Sequence, residues 1–148
     1  MCGIAGYYGK LDIKETNIKE TMIKMRNRGP DNQNYFRYKF DDHHVVLIHS
    51  RLSIIDLDKR SNQPFHDKEK VMTFNGEIYN YLEIKSNLLR EGCNFQTNSD
   101  TEIIMKSHMH YGKECFDKFE GMWAYGIFDK TTKELILSRD RFGEKPLY

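Results

Sequence analysis

The sequence has no surplus of either charge. Its 148 residues hold 23 lysines and arginines against 22 aspartates and glutamates, a net charge of +1. That balance excludes a protein held on nucleic acid by phosphate contacts, which needs a basic face. Long hydrophobic runs are missing too: none approaches the roughly 18 residues of a membrane span, so no membrane partner is expected. The opening Met1-Cys2-Gly3-Ile4-Ala5-Gly6 lacks the basic flank and long apolar stretch of a secretory signal. Cysteine is scarce: Cys2, Cys93 and Cys115 are far apart and odd in number, which is no disulfide framework. His43-His44 and His108-Met109-His110 lack the i, i+4 helical spacing and the nearby cysteines of a zinc site, so no metal is expected. No glycine stands five residues before Gly9-Lys10, Leu11 replaces the serine or threonine of a phosphate-binding loop, and no dinucleotide fingerprint occurs. There is no repeat, low-complexity tract or linker. What is present is 39% hydrophobic and 13% aromatic, too apolar for disorder and long enough for one domain with a real core. The expectation is a single cytoplasmic domain.

Val45-Val46-Leu47-Ile48 and Val71-Met72-Thr73-Phe74 read as strands with at least one buried face. Tyr35–Phe40 and Ile4–Tyr8 are further strand candidates, the second with glycines that permit close backbone approach. Met122–Phe128 and Leu135–Leu137 flank the polar Asp129–Lys133 and form a hairpin. Ile18, Met22 and Met25 recur at helical spacing, which predicts an amphipathic helix from about Lys14 to Arg26. Asn80 can cap a helix that runs to Arg90, with Gly92 just past its end. Ser99-Asp100-Thr101-Glu102 has the form of a capping box, and Gly112 stops the helix that follows. Strands around separate helices, closing on a hairpin, give an α+β fold with mainly antiparallel sheets.

Cys2 is the first residue with chemistry. Were Met1 removed, Cys2 would carry a thiol beside a free α-amine, groups that titrate near ~8.5 and ~7.7–8.0 in model compounds. One residue would then hold its own nucleophile and base, and Gly3 would let a substrate approach; the plain alternative is that position 2 does nothing. Asn75-Gly76 reads either as a type I′ hairpin turn or as a side-chain amide beside an unhindered backbone N–H, the donor pair of an oxyanion hole. Arg51, after the apolar strand, either clamps a carboxylate in a cleft or makes a surface salt bridge. Arg28-Gly29-Pro30-Asp31 reads as a turn, with Asp31 bonded to nearby backbone. Cys93 and Cys115 read as small core residues.

Taken together, Met1-Cys2-Gly3-Ile4, Arg28–Asp31, His49–Asp56, Gln63-Pro64, Asn75–Asn80, Ser99–Glu102 and Arg139–Gly143 resemble the class II glutamine amidotransferases, the N-terminal-nucleophile glutaminases. Within that family the chain looks most like the glutaminase domain of the glutamine-hydrolysing asparagine synthetases. Arg28–Asp31 and Arg51–Ile54 separate it from the sugar-phosphate and purine-pathway amidotransferases. Asn34 departs from a glycine common in the family, and asparagine tolerates positive φ nearly as well. The resemblance implies a four-layer αββα sandwich of two antiparallel sheets between helices, spanning 1–148 as the N-terminal part of a longer chain. It implies glutamine as substrate, hydrolysed by Cys2 through a thioester, with the oxyanion held by Asn75 and Gly76. Arg51, Leu52, Ser53, Ile54, Ile55, Asn75, Gly76, Glu77 and Asp100 would bind the substrate. The implied partner is a C-terminal synthetase domain using ATP and Mg2+ to make asparagine; this domain itself would need no cofactor. A sugar acceptor, or an inactive relative that retains Met1, is the alternative. Oligomeric state stays open, a homo-oligomer included.

Overall fold

The continuous apolar runs become strands covered on both faces. Residues 2–148 are described by the structure, a computed structural model; Met1, whose removal the N-terminal cysteine requires, lies outside the described residues. Strand β1 (Gly3–Gly9) leads to helix α1 (Glu15–Met25), then β2 (Asn32–Phe40), β3 (His43–Arg51) and the short β4 (Phe65–Asp67). Strand β5 (Lys70–Ile78), helices α2 (Tyr81–Arg90) and α3 (Asp100–Tyr111), and strands β6 (Gly121–Asp129) and β7 (Leu135–Arg139) complete the order. Two antiparallel sheets result, β1-β3-β2 and β4-β5-β6-β7. Helix α1 packs on the first sheet, α2 and α3 on the second, and β3 faces β5 between them. This is the expected αββα sandwich.

Strand β3 shows why the pattern is continuous rather than alternating. Val46 and Ile48 pack with Ile18, Met22 and Met25 of α1, while Val45 and Leu47 meet Val71 and Phe128 of the other sheet. Beyond the second sheet, Met72, Phe74 and Ile78 pack with Ile84, Leu88, Ile103 and Ile104 of the helices. Each strand face has a partner, so both residue parities are apolar. The β6–β7 hairpin forms as expected, with Phe128 opposite Leu135.

Local details differ from the sequence reading where a distant partner outcompetes a nearby one. Asn80 precedes α2, but its side chain makes no cap bond. Its Nδ2 donates to Lys118 O at 2.9 Å and its Oδ1 accepts from Glu120 N–H at 3.1 Å, clamping the approach to β6. Ser99 does cap α3, accepting from Thr101 N–H at 3.1 Å. Glu102 does not complete the box; its carboxylate accepts from the N–H groups of Gln96 and Thr97 in the preceding loop. Asp31 likewise bonds far along the chain, accepting from Ser53 N–H at 2.7 Å. Asn34 lies in extended β2 and is not among the residues with positive φ, so its tolerance of that region is not called on.

Gly29 is held where no side chain fits. A Cβ there would stand 2.2 Å from Ser50 O and 2.5 Å from the Arg51 carbonyl carbon, both backbone atoms that no rotamer change can move. Gly29→Ala is therefore expected to cost about 1–3 kcal/mol and to lower Tm by roughly 3–10 °C in a thermal unfolding scan. An unchanged Tm would contradict this contact with β3.

Candidate active site

At one end of the sandwich β4 stops while β5 continues. The two pair from Asp67–Lys70 to Phe65–Met72, and β5 runs on to Ile78. In an antiparallel strand the N–H and C=O of a residue point to one side and alternate along the chain. Phe74, Gly76 and Ile78 therefore present their N–H groups to the edge that β4 has left. Buried N–H groups need acceptors. Phe74 N–H donates to Gln63 Oε1 at 2.6 Å, and Ile78 N–H to Asp100 Oδ2 at 3.3 Å. Gly76, between them, lines a cleft. Opposite it, Trp123 N–H donates to Asp140 Oδ2 at 3.2 Å and Trp123 O accepts from Asp140 N–H at 2.8 Å, so the Gly76–Trp123 pair exchanges no ladder bonds.

Asn75 and Gly76 thus lie inside β5, opposite Ala124 and Trp123, and the hairpin-turn reading of this dipeptide is overturned. Glycine is required at 76 by packing: a Cβ would stand 2.1 Å from Met122 O and 2.7 Å from Trp123 Cα. Asn75 is buried and lines the same cleft. A side-chain amide and a backbone N–H therefore stand side by side on its wall.

Cys2 leads into β1. Its Sγ lies between the backbone groups of Leu52, accepting from Leu52 N–H at 3.4 Å and donating to Leu52 O at 3.6 Å. Burial pushes the Cys2 thiol above its ordinary value, against the Leu52 N–H and the Arg51 charge. Arg51 ends β3 and is buried. Its guanidinium donates to Asp58 O at 3.2 Å, to Asn62 Oδ1 at 2.6 Å and to Asp56 O, drawing the loop after β3 around itself. No carboxylate among the described residues pairs with it, so the surface salt bridge is excluded.

Asp100 opens α3 and is 5% exposed. Burial, reinforced by the neighbouring Glu77 charge, raises its carboxyl to about 6 against the N–H bonds from Ile78 and Thr101. No lysine, arginine or histidine among the described residues forms an ion pair with it. The loop after Arg51 and the loop before Asp100 are joined, because Asp56 Oδ2 accepts from Asn98 N–H at 2.7 Å.

Of the residues expected to build a site, Cys2, Arg51, Leu52, Ile54, Ile55, Asn75, Gly76, Glu77 and Asp100 all line this cleft. Ser53 does not; its N–H is held by Asp31. Gln63, Thr101 and Lys145 also line it, and the sequence reading gave none of them a role. Lys145 reaches the cleft because the Asp140 carboxylate gathers the N–H groups of Trp123, Phe142, Glu144 and Lys145 at 2.9–3.2 Å. Burial opposes the Asp140 charge, but those four bonds hold its carboxyl below the ordinary range. No histidine is on the cleft wall. Among the described residues no cluster of side chains is set to hold a metal ion, and no helix is long and apolar enough to cross a membrane.

Known proteins are similar to this sequence over its full length. The family model of a glutamine amidotransferase domain matches residues 1–148. The whole chain is 41% identical to asparagine synthetase (glutamine-hydrolyzing) 1 of Bacillus subtilis, covering 24% of it. It is 39% identical to a putative asparagine synthetase (glutamine-hydrolyzing) 2 of Methanocaldococcus jannaschii, covering 32%, and 36% identical to amidase chry2 of Gibberella zeae, covering 24%. The chain thus spans about a quarter to a third of the length of these relatives. Among solved structures, the glutamine phosphoribosylpyrophosphate amidotransferase of B. subtilis aligns with a TM-score of 0.52 at 23% identity, over 64% of this chain and 23% of that one, which is a likeness of fold. A family model that spans residues 1–148 and identity near 40% over the whole chain give one assignment: the chain belongs to the glutamine amidotransferase domain family.

Proposed function

We propose that the chain hydrolyses glutamine to glutamate and ammonia, with Cys2 as nucleophile once Met1 is removed. The observation that carries this reading is the pair of buried charges, Arg51 and Asp100, neither in an ion pair among the described residues, on one cleft with a thiol and two donors. Free glutamine brings a carboxylate, an ammonium and a carboxamide, one for each of these features. Arg51 receives the carboxylate through charge-assisted hydrogen bonds. Asp100, beside Glu77, receives the ammonium. The backbone from Leu52 to Ile55 flanks the substrate, with Ser53 acting through its anchorage to Asp31.

Catalysis then follows from proximity. The α-amine of Cys2 takes the thiol proton, and Sγ attacks the carboxamide carbon. With no histidine on the cleft wall, that amine is the base matched to a thiol. Asn75 Nδ2 and Gly76 N–H donate to the oxyanion. Collapse returns the proton to the departing nitrogen, ammonia leaves, and water hydrolyses the thioester to glutamate. In a longer chain of the kind represented by the relatives named asparagine synthetase, the ammonia would feed asparagine synthesis from aspartate. ATP and Mg2+ would serve that synthetase domain, and their binding residues lie outside this one. Those names favour aspartate over a sugar as acceptor.

Glutamate release by the wild-type chain tests the reading, and two variants test its parts. Asn75→Asp puts negative charge against the oxyanion and should lower kcat about a hundredfold, at least ~2.7 kcal/mol, with KM little changed and the fold intact. Full activity would remove Asn75 from the site. Asp100→Asn should raise the glutamine KM about tenfold or more, the loss of a charge-assisted bond worth ~1.5–3 kcal/mol. Because the folded Asp100 carboxyl is raised to about 6, it favours the folded state only at low pH, and that contribution is lost as pH rises through about 6. At pH 7 the asparagine variant should therefore match or exceed the wild-type Tm. In the wild type kcat/KM should fall as pH drops through about 6 and Asp100 neutralises; the variant should lose that limb. An unchanged KM would return Asp100 to a structural role.

A further inference from the structure

His49 lies on β3 between the sheets and reaches the backbone of β5. The residue is 0% exposed, and its Nε2 stands 3.0 Å from Phe74 O. A carbonyl only accepts, so Nε2 carries the ring proton; Nδ1 is buried with no partner among the described residues. Burial holds the imidazole down at about 4, and the ring stays neutral at working pH. Phe74 O belongs to the peptide group that also carries the Asn75 N–H. The N–H of Phe74 is held by Gln63 at 2.6 Å, and Gln63 Nε2 donates in turn to Thr101 Oγ1 at 3.1 Å. Phe74 is thus gripped at both backbone atoms by side chains, one residue before the oxyanion donors. No strand does this work, because β4 has ended opposite Met72.

We propose that His49 is a positioning residue for glutamine hydrolysis, its Nε2–H bond to Phe74 O fixing the aim of the Asn75 amide and the Gly76 N–H. The inference rests on the glutaminase reading of the cleft. His49 touches no substrate atom; it acts through the plane of the Phe74–Asn75 peptide. Donors to a developing charge must hold their geometry within about 0.5 Å, and a misplacement of about 1 Å can cost a hundredfold in rate. Loosening this edge would weaken the transition state far more than the bound substrate, whose charged ends are held by Arg51 and Asp100.

Steady-state kinetics with glutamine on the wild type, His49→Leu and His49→Gln test the proposal. Leucine fills space without a donor, whereas glutamine carries a neutral N–H of comparable reach. His49→Leu should lose at least tenfold in kcat with KM within twofold of wild type, and His49→Gln should recover most of the loss. A folded His49→Leu with kcat within twofold of wild type overturns the proposal. Equal losses in both variants, or a loss expressed in KM, overturn it as well, since packing alone would then explain the residue. Should His49→Leu not fold, His49→Asn, too short to reach Phe74 O, replaces it under the same criteria. A wild-type chain that releases no glutamate overturns the glutaminase reading and this inference with it; an active wild type with insensitive His49 variants overturns the inference alone.

Discussion

The early end of β4 is the constraint on which the site depends. A buried strand edge cannot keep bare N–H groups, so β5 beyond Met72 must find acceptors outside the sheet. Gln63 meets the first of these groups and Asp100 the third, which draws the segment before β4 and the start of α3 against one edge. Gly76, between them, is left facing the cleft with an N–H to give. The residues that border the cleft are thus those that satisfy the backbone around that opening. Cys2 arrives from the other sheet, because β1 pairs with β3 and sets Gly3 opposite Ser50, one residue before Arg51.

Charge gives the cleft its second character. Arg51 is buried among carbonyl and amide oxygens, which orient a guanidinium but do not neutralise it. Asp100 is buried beside another carboxylate, Glu77, and accepts from the N–H groups of Ile78 and Thr101. Each arrangement costs folding free energy that an apolar or paired residue would not, the usual mark of a site held ready for a ligand. A zwitterion would satisfy both at once, as the proposed substrate does. The link between Asp56 and Asn98 fixes the two loops together, so the spacing of the opposite charges belongs to the fold.

Much of the architecture was legible in the sequence because the apolar runs are long and their partners are strands of the same domain. Val45–Ile48 and Val71–Phe74 announced strands, and the spacing of Ile18, Met22 and Met25 announced α1. Local polar motifs were less legible. Asn80 and Glu102 have the right types at the right positions for caps, yet their side chains turn to Lys118, Glu120, Gln96 and Thr97. Asn75-Gly76 was ambiguous, since the same two residues suit a turn and a donor pair; only the pairing with Ala124 and Trp123 separates them. Cys2 and Arg51 were candidates on their own chemistry, each beside a plain alternative, whereas the binding role of Asp100 entered through the family resemblance, which carries spatial information that spacing along one chain does not. Lys145 and His49 were missed for the same physical reason. Lys145 is placed by the Asp140 carboxylate five residues back, which also holds Trp123 of β6, and His49 by the Phe74 carbonyl of the other sheet; neither bond leaves a motif in the sequence.

The central claim is that Cys2, at the start of the mature chain, is the nucleophile that attacks the glutamine carboxamide. Incubating the purified chain with an electrophilic diazoketone analogue of glutamine, then measuring intact mass and mapping peptides, tests it most directly. The account predicts a chain that lacks Met1 and gains one label, on Cys2, with excess glutamine protecting against it. Retention of Met1, or labelling of Cys93 or Cys115 while Cys2 stays free, would contradict it.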